Sequence, residues 1–163
     1  MDCIYCTPEW LEESARIYRA TPRFQETMKR LSAKVFFRVS AAPEWGIDSD
    51  FVFGGIITKG ALDELRFYSE DEVKEKGDLI MVATPQEWKL LLRKEHKFLT
   101  DFMLGKVKLE KGAITSALGI APYADTFIEA LTQVNLQFQD ELNPQQLDEY
   151  RQYASQFRSE LKI

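Results

Sequence analysis

The sequence predicts an α+β protein in which helices cover a sheet of about five strands. Three observations carry that reading. Thr7-Pro8, Thr21-Pro22, Thr84-Pro85 and Asn143-Pro144 each place a capping side chain before a proline suited to the first helical position. After the second of these pairs the apolar period changes from helical to alternating over three successive runs. Two further strand-like runs then bracket a stretch of helical spacing. The resulting order is ααβββ, then β-α-α-β, then three helices.

The first helix carries Trp10, Leu11, Ile17 and Tyr18 on one side, and the second carries Phe24, Met28 and Leu31. "KVFFRVS" then alternates, with Val35, Phe37 and Val39 on one face. "DFVFGGIIT" aligns Phe51, Phe53 and Ile57, and "ALDELRFYS" follows the tight-turn signal Lys59-Gly60. Short connections make these an antiparallel meander, with "AAPEWGIDSD" as a longer loop. Gly54-Gly55 marks either a bulge or a stretch of backbone surface left bare.

"EDEVKEKGD" is either a charged loop or a short helical turn, and "DLIMVA" is apolar enough for a central strand buried on both faces. From Pro85 to Leu104 the apolar positions are helically spaced, with a break expected near Glu95-His96-Lys97. Capping boxes are expected at Thr84 with Glu87 and at Asn143 with Gln146. "KVKLE" alternates with Val107 and Leu109 inward and lysines outward, as on a sheet edge. A short helix with Ile114, Ala117 and Leu118 closes at Gly119. The next is expected to run through Phe127, Leu131, Val134 and Phe138, and the last carries Leu147, Tyr150, Ala154, Phe157 and Leu161 as a stripe.

Composition narrows the function. With 163 residues, 45% hydrophobic and 29% charged, the chain suits one globular domain over residues 1–163, and no Pro/Gly/Ser-rich linker divides it. A net charge of -5 argues against nucleic-acid binding and against a polybasic membrane patch. No run approaches the roughly 18 apolar residues of a membrane span. "MDCIYCTPEW" lacks the basic start and apolar core of a secretory signal, and "SELKI" is not the S-K-L address, so a cytoplasmic protein is expected.

Candidate chemistry is sparse. Cys3 and Cys6 form a C-x-x-C, but only Met1-Asp2 precedes them and the chain has one histidine. The expectation is therefore two thiols on a frayed N-terminus, with a redox pair or a zinc site shared between two chains as the alternatives. His96 sits among charges without a nucleophile motif and reads as a surface histidine. The acidic clusters Asp63-Glu64 and Glu70-Asp71-Glu72 lack calcium-loop spacing. No catalytic residue, metal ligand or cofactor is expected.

The stretch "ATPQEWKLLLRKEHKFLTDFMLGKVKLEKGAITSALGI" resembles the sterol carrier protein-type lipid-binding family. The matching features are Trp88 within a helix, Phe102-Met103 followed by Gly105-Lys106, the amphipathic strand "VKLEKG", and the helices beyond it. The resemblance covers residues 22–138 and is strongest over 84–120. It leaves an N-terminal helix at 7–20 and an amphipathic C-terminal helix at 144–161 as additions.

The resemblance implies a mixed sheet with helices on one face and an apolar tunnel between the layers. It also implies binding of a fatty acid, sterol, isoprenoid or acyl-CoA without covalent chemistry. On that basis Phe53, Trp88, Leu92, Phe98, Phe102, Met103, Ile114, Leu118, Phe127 and Leu131 are candidate lining residues, although ordinary core packing explains the same spacing. Lys106 is either a headgroup contact or a solvent-facing lysine on an edge strand. The stripe Leu147, Tyr150, Phe157 and Leu161 could cap the tunnel, pack on the chain's own body, or pair two chains. The competing reading is a non-catalytic interaction module acting as a homodimer or accessory subunit.

Overall fold

The computed structural model describes residues 2–163. The elements run β1 (Asp2–Ile4), α1 (Pro8–Ala20), α2 (Pro22–Thr27), β2 (Ala33–Val39), β3 (Phe51–Thr58), β4 (Ala61–Phe67) and α3 (Glu70–Lys76). They continue as β5 (Leu79–Ala83), α4 (Pro85–Leu92), α5 (Phe98–Met103), β6 (Lys108–Lys111), α6 (Ile114–Ile120), α7 (Ala124–Leu131), β7 (Asn135–Gln137) and α8 (Pro144–Leu161).

Five strands form a mixed sheet in the order β4-β3-β2-β5-β6, in which only β2 and β5 run parallel. The expected meander is β2-β3-β4. From its far edge the chain crosses back over the sheet through α3 and enters beside β2, which makes that pairing parallel. Phe37 faces Phe53 on one side and Met81 on the other, so these residues share one face of three adjacent strands.

That face carries the main core, with Val35, Val39, Phe51, Phe53, Leu79 and Met81 buried under α1, α4 and α7 among other elements. The opposite face, which the one-sided plan leaves open, carries a thin cover of its own. There Val73 of α3 packs on Phe36, Val52, Tyr68 and Ile80. The segment left open as loop or turn is thus a two-turn helix, and Ser69 with Glu72 closes a capping box at its start.

Two boundaries differ from expectation. The N-terminus is not frayed: β1 pairs in parallel with β7, Cys3 opposite Leu136, and Tyr5 N–H continues the ladder to the Gln137 carbonyl at 2.8 Å. The helix expected through Phe138 stops at Leu131, whose carbonyl accepts the Trp10 indole N–H at 2.8 Å. Beyond it Val134, Leu136 and Phe138 are buried while Asn135 and Gln137 are exposed, which is strand alternation.

Helix starts at Thr7, Thr84 and Asn143 are capped by those side chains. Thr21 is the exception, because its hydroxyl donates to the Ile17 carbonyl at 2.7 Å instead. The stripe of α8 is spent on the chain itself. Phe157 stacks on Phe51 and Phe67 with centroids 5.6 and 5.7 Å apart, and the Tyr150 hydroxyl donates to the Cys6 carbonyl at 2.9 Å. Tyr150 and Phe157 are therefore buried within one chain and not free to pair two; Leu147 is half-buried and Leu161 exposed. No helix among the described residues is long and apolar enough to cross a membrane.

Candidate functional site: apolar cavities between sheet and helices

An apolar cavity of about 60 Å³ lies between the sheet and the helices. Phe37 and Phe53 form its floor on β2 and β3. Trp88, Leu91 and Leu92 of α4 and Phe98 of α5 supply one wall, and Ile120, Ala124, Phe127, Ile128 and Leu131 supply another. The walls are set by local structure. The Thr84 cap and Pro85 start α4 so that Trp88, Leu91 and Leu92 fall on its inner side, and the Trp88 indole N–H donates to the Arg38 carbonyl at 3.0 Å. Edge-to-face packing of Phe37 on Trp88, 5.6 Å between centroids, ties the floor to that wall.

A second void of about 20 Å³ lies alongside, bounded by Tyr18, Gly55, Leu62, Leu65 and Ala130. Phe37, Phe53, Phe127 and Leu131 belong to both linings and form the partition. Gly55 is a stretch of bare backbone here, whereas Gly54 faces the other way, where a Cβ would stand 2.4 Å from the Phe36 ring. The strand irregularity falls one pair further on, between Ile56 and Ile57.

Size decides what these voids are. Ligand pockets typically enclose roughly 300–1,000 Å³, so neither void holds a sterol or an acyl chain as it stands. A continuous tunnel is not seen in this conformation.

Of the ten residues picked out from the sequence, Phe53, Trp88, Leu92, Phe98, Phe127 and Leu131 are brought together around the larger cavity. Phe102, Met103, Ile114 and Leu118 are not. Phe102 stacks on Phe98, 5.8 Å between centroids, and is half-buried. Met103 is 72% exposed, and Ile114 and Leu118 are also exposed. The reason is length: α5 and α6 are each under two full turns, so residues at the far end of α5 and on the outer side of α6 turn to solvent. Leu99 and Leu104 are exposed beside them in sequence, giving this part of the surface an apolar character. Sequence reading missed Tyr5, Phe37, Leu91, Ile120, Ala124 and Ile128 in the wall. The signals for Phe37 and Leu91 are present in the sequence, since Phe37 shares a face with Val35 and Val39 and Leu91 stands three positions after Trp88 at helical spacing. Tyr5 gave none, because its place depends on the β1–β7 pairing. Lys106 is exposed and outside both linings.

The sulfur residues are buried rather than frayed, and both are free thiols. Burial pushes the Cys6 thiol well above its ordinary range, only partly opposed by Tyr5 and Arg158, and Cys3 is raised in the same way. Both side chains are packed inside the chain's own core, Cys6 wholly so, and neither is presented to a second chain.

His96 is not a free surface histidine. Its Nδ1 lies 3.0 Å from Oδ2 of Asp101, which is 1% exposed, and Glu87 stands close to both.

Comparison with solved structures identifies the architecture. A conserved hypothetical protein of Thermus thermophilus, described as a candidate sterol carrier protein, superposes with a TM-score of 0.66 at 18% identity, over 80% of this chain and 90% of that one. A crystal structure of sterol carrier protein 2 gives 0.61 at 19% identity, over 77% and 93%. The apo form of sterol carrier protein 2 from Yarrowia lipolytica gives 0.50 at 13% identity, over 72% and 86%. No protein-family model and no curated protein matches the sequence. The fold is that of the sterol carrier proteins, and the sheet order and helical cover described above are its form in this chain.

Proposed function

We propose that this protein binds, and can transfer, a lipid or other apolar ligand between its helices and its sheet, with no covalent step. The observation that carries the reading is the shared lining: two apolar voids in a sterol carrier fold have the side chains of Phe37, Phe53, Phe127 and Leu131 in common. Rotation of Phe127 and Leu131, which belong to one helix, away from Phe37 and Phe53 would join the voids. The ligand then replaces side-chain contacts with its own. Binding is driven by apolar surface removed from water, about 25 cal/mol per Å².

Phe53, Trp88, Leu92, Phe98, Phe127 and Leu131 are the proposed contacts. The reading assigns Phe102, Met103, Ile114 and Leu118 to an entrance; it is supported by α5 and α6 contributing Phe98 and Ile120 to the wall while Met103, Ile114 and Leu118 stay exposed. Native mass spectrometry of the purified protein, followed by solvent extraction and lipid identification, tests this. A co-purifying lipid near one per chain, reduced by Leu92→Asp, is expected. A chain that stays empty, and remains so when mixed with fatty acids, sterols and acyl-CoA, would contradict it.

A further inference from the structure

We propose that Glu87, His96 and Asp101 form a binding site for a divalent first-row transition-metal ion, for which Zn²⁺ fits the donor set. Their ligating atoms all lie within 4.8 Å of one another, and no other three such side chains gather so closely among the described residues. The three come from different places. Glu87 is in the first turn of α4, His96 in the tight turn after it, and Asp101 on α5. The turn is firmly held: the His96 N–H donates to the Leu90 carbonyl at 3.2 Å, and the Asp101 carbonyl accepts from Lys106 N–H at 2.9 Å.

The pointer to a ligand is Glu87. Its position three residues after Thr84 suits a reciprocal capping box, as at Ser69-Glu72 and Asn143-Gln146, where the returning bonds measure 3.0 and 2.9 Å. At Thr84 only half of the box forms. The threonine hydroxyl accepts from the Glu87 N–H at 3.1 Å, but the Glu87 carboxylate makes no bond back to the cap. Its Oε2 is instead buried and without a hydrogen-bond partner. A buried carboxylate oxygen left unpaired is unfavourable unless something binds it.

Two carboxylates and an imidazole, one of the carboxylates wholly buried, are oxygen and nitrogen donors that zinc accepts, and three protein ligands leave a position for water. The imidazole is about a third exposed in its side chain, so an ion reaches it from solvent. Bonds of about 2.0–2.2 Å to tetrahedral zinc place ligand atoms roughly 3.4 Å apart. His96 and Asp101 already stand 3.0 Å apart, so closure of at most about 1.4 Å is required of Glu87, which is free to supply it because its Oε2 is bound to nothing.

The test is isothermal titration of the metal-stripped, lipid-free full chain with Zn²⁺, alongside the visible spectrum of Co²⁺ as a substitute probe. One ion per chain is expected, with a Co²⁺ absorption of low coordination number. Glu87→Gln and His96→Gln should each weaken affinity by well over 100-fold, beyond the roughly 10–100-fold loss typical of an outer-shell partner. Asp101→Asn serves only if circular dichroism shows it folded, and the other two variants decide the outcome without it. Cys3→Ser should leave affinity unchanged. An absence of binding, as in a plain ion-paired triad, would overturn the proposal. So would binding that survives both Glu87→Gln and His96→Gln, or that follows Cys3. The readout involves no lipid, so its failure is separate from failure of the lipid-binding reading.

Discussion

Phe53 of β3 and Leu131 of α7 stand in the walls of both apolar voids, one from the sheet and one from the helices. Phe37 and Phe127 belong to both linings as well. Core side chains normally pack without gaps larger than a water, so paired voids on either side of movable side chains mark where this core is loosest.

Phe127, like Phe37, is only half-buried, and Phe127→Ala should open the two voids to each other. We expect a stability loss of about 2–3 kcal/mol, below the roughly 3–5 kcal/mol for a fully buried phenylalanine. We also expect several-fold tighter binding of a fluorescent fatty acid, since less repacking opposes entry. Denaturant titration and fluorescence displacement read the two effects. Lost stability with unchanged affinity would place the ligand elsewhere.

The α8 stripe is expected to serve the monomer. Phe157→Ala removes a ring packed on Phe51, Phe67 and Tyr153, at a cost of roughly 3–5 kcal/mol in unfolding free energy, with no change in sedimentation coefficient for the folded fraction. The exposed Leu161→Ser should fall within about 0.5 kcal/mol of the parent.

Two neighbouring glycines should respond oppositely to alanine. At Gly54 a Cβ would meet the Val35 carbonyl at 2.5 Å and the Phe36 ring at 2.4 Å, and backbone cannot yield cheaply. Gly54→Ala should lower the melting temperature by about 6–9 °C, taking roughly 2–3 kcal/mol of strain at typical domain entropies. At Gly55 the nearest atoms are 3.5 and 3.7 Å away, so Gly55→Ala should fold normally and narrow the smaller void.

Acid should weaken the cover of the outer sheet face. The Arg66 guanidinium, with help from Ser69 and against partial burial, holds Glu72 down from 4.5 to about 2. A carboxylate whose folded value is depressed stabilises above its unfolded value, and that contribution disappears as pH falls through the folded one. The stabilisation from Glu72 is thus complete above about pH 4.5 and is lost progressively toward pH 2. Melting temperature against pH should fall less steeply over that window in Glu72→Gln than in the parent.

Much of the layout was legible because it rests on local chemistry. The proline-marked helix starts, the alternation of Val35, Phe37 and Val39, and the break before Phe98 appear where their residue types place them. What was missed rests on partners distant in sequence. Asp2–Ile4 looks frayed until Asn135–Gln137 is set beside it. Val134, Leu136 and Phe138 carry a strand period, yet the spacing from Phe127 to Phe138 fits a helix equally well, and short apolar runs do not separate the two. His96 read as solvated because Asp101 lies five positions away across a turn and Glu87 on another helix. The candidate lining was half legible for a related reason: helical spacing finds the apolar side of α4 and α7 but not where α5 and α6 end.

The most direct test of a ligand site between the layers is a methyl and indole NMR titration with a fatty acid. Binding between helices and sheet predicts saturable one-to-one shifts at Leu91, Leu92, Leu131 and the Trp88 indole N–H, with Ile47 and Leu161 unmoved. Shifts confined to the exposed Leu99, Leu104 and Leu118, or none at all, would contradict it.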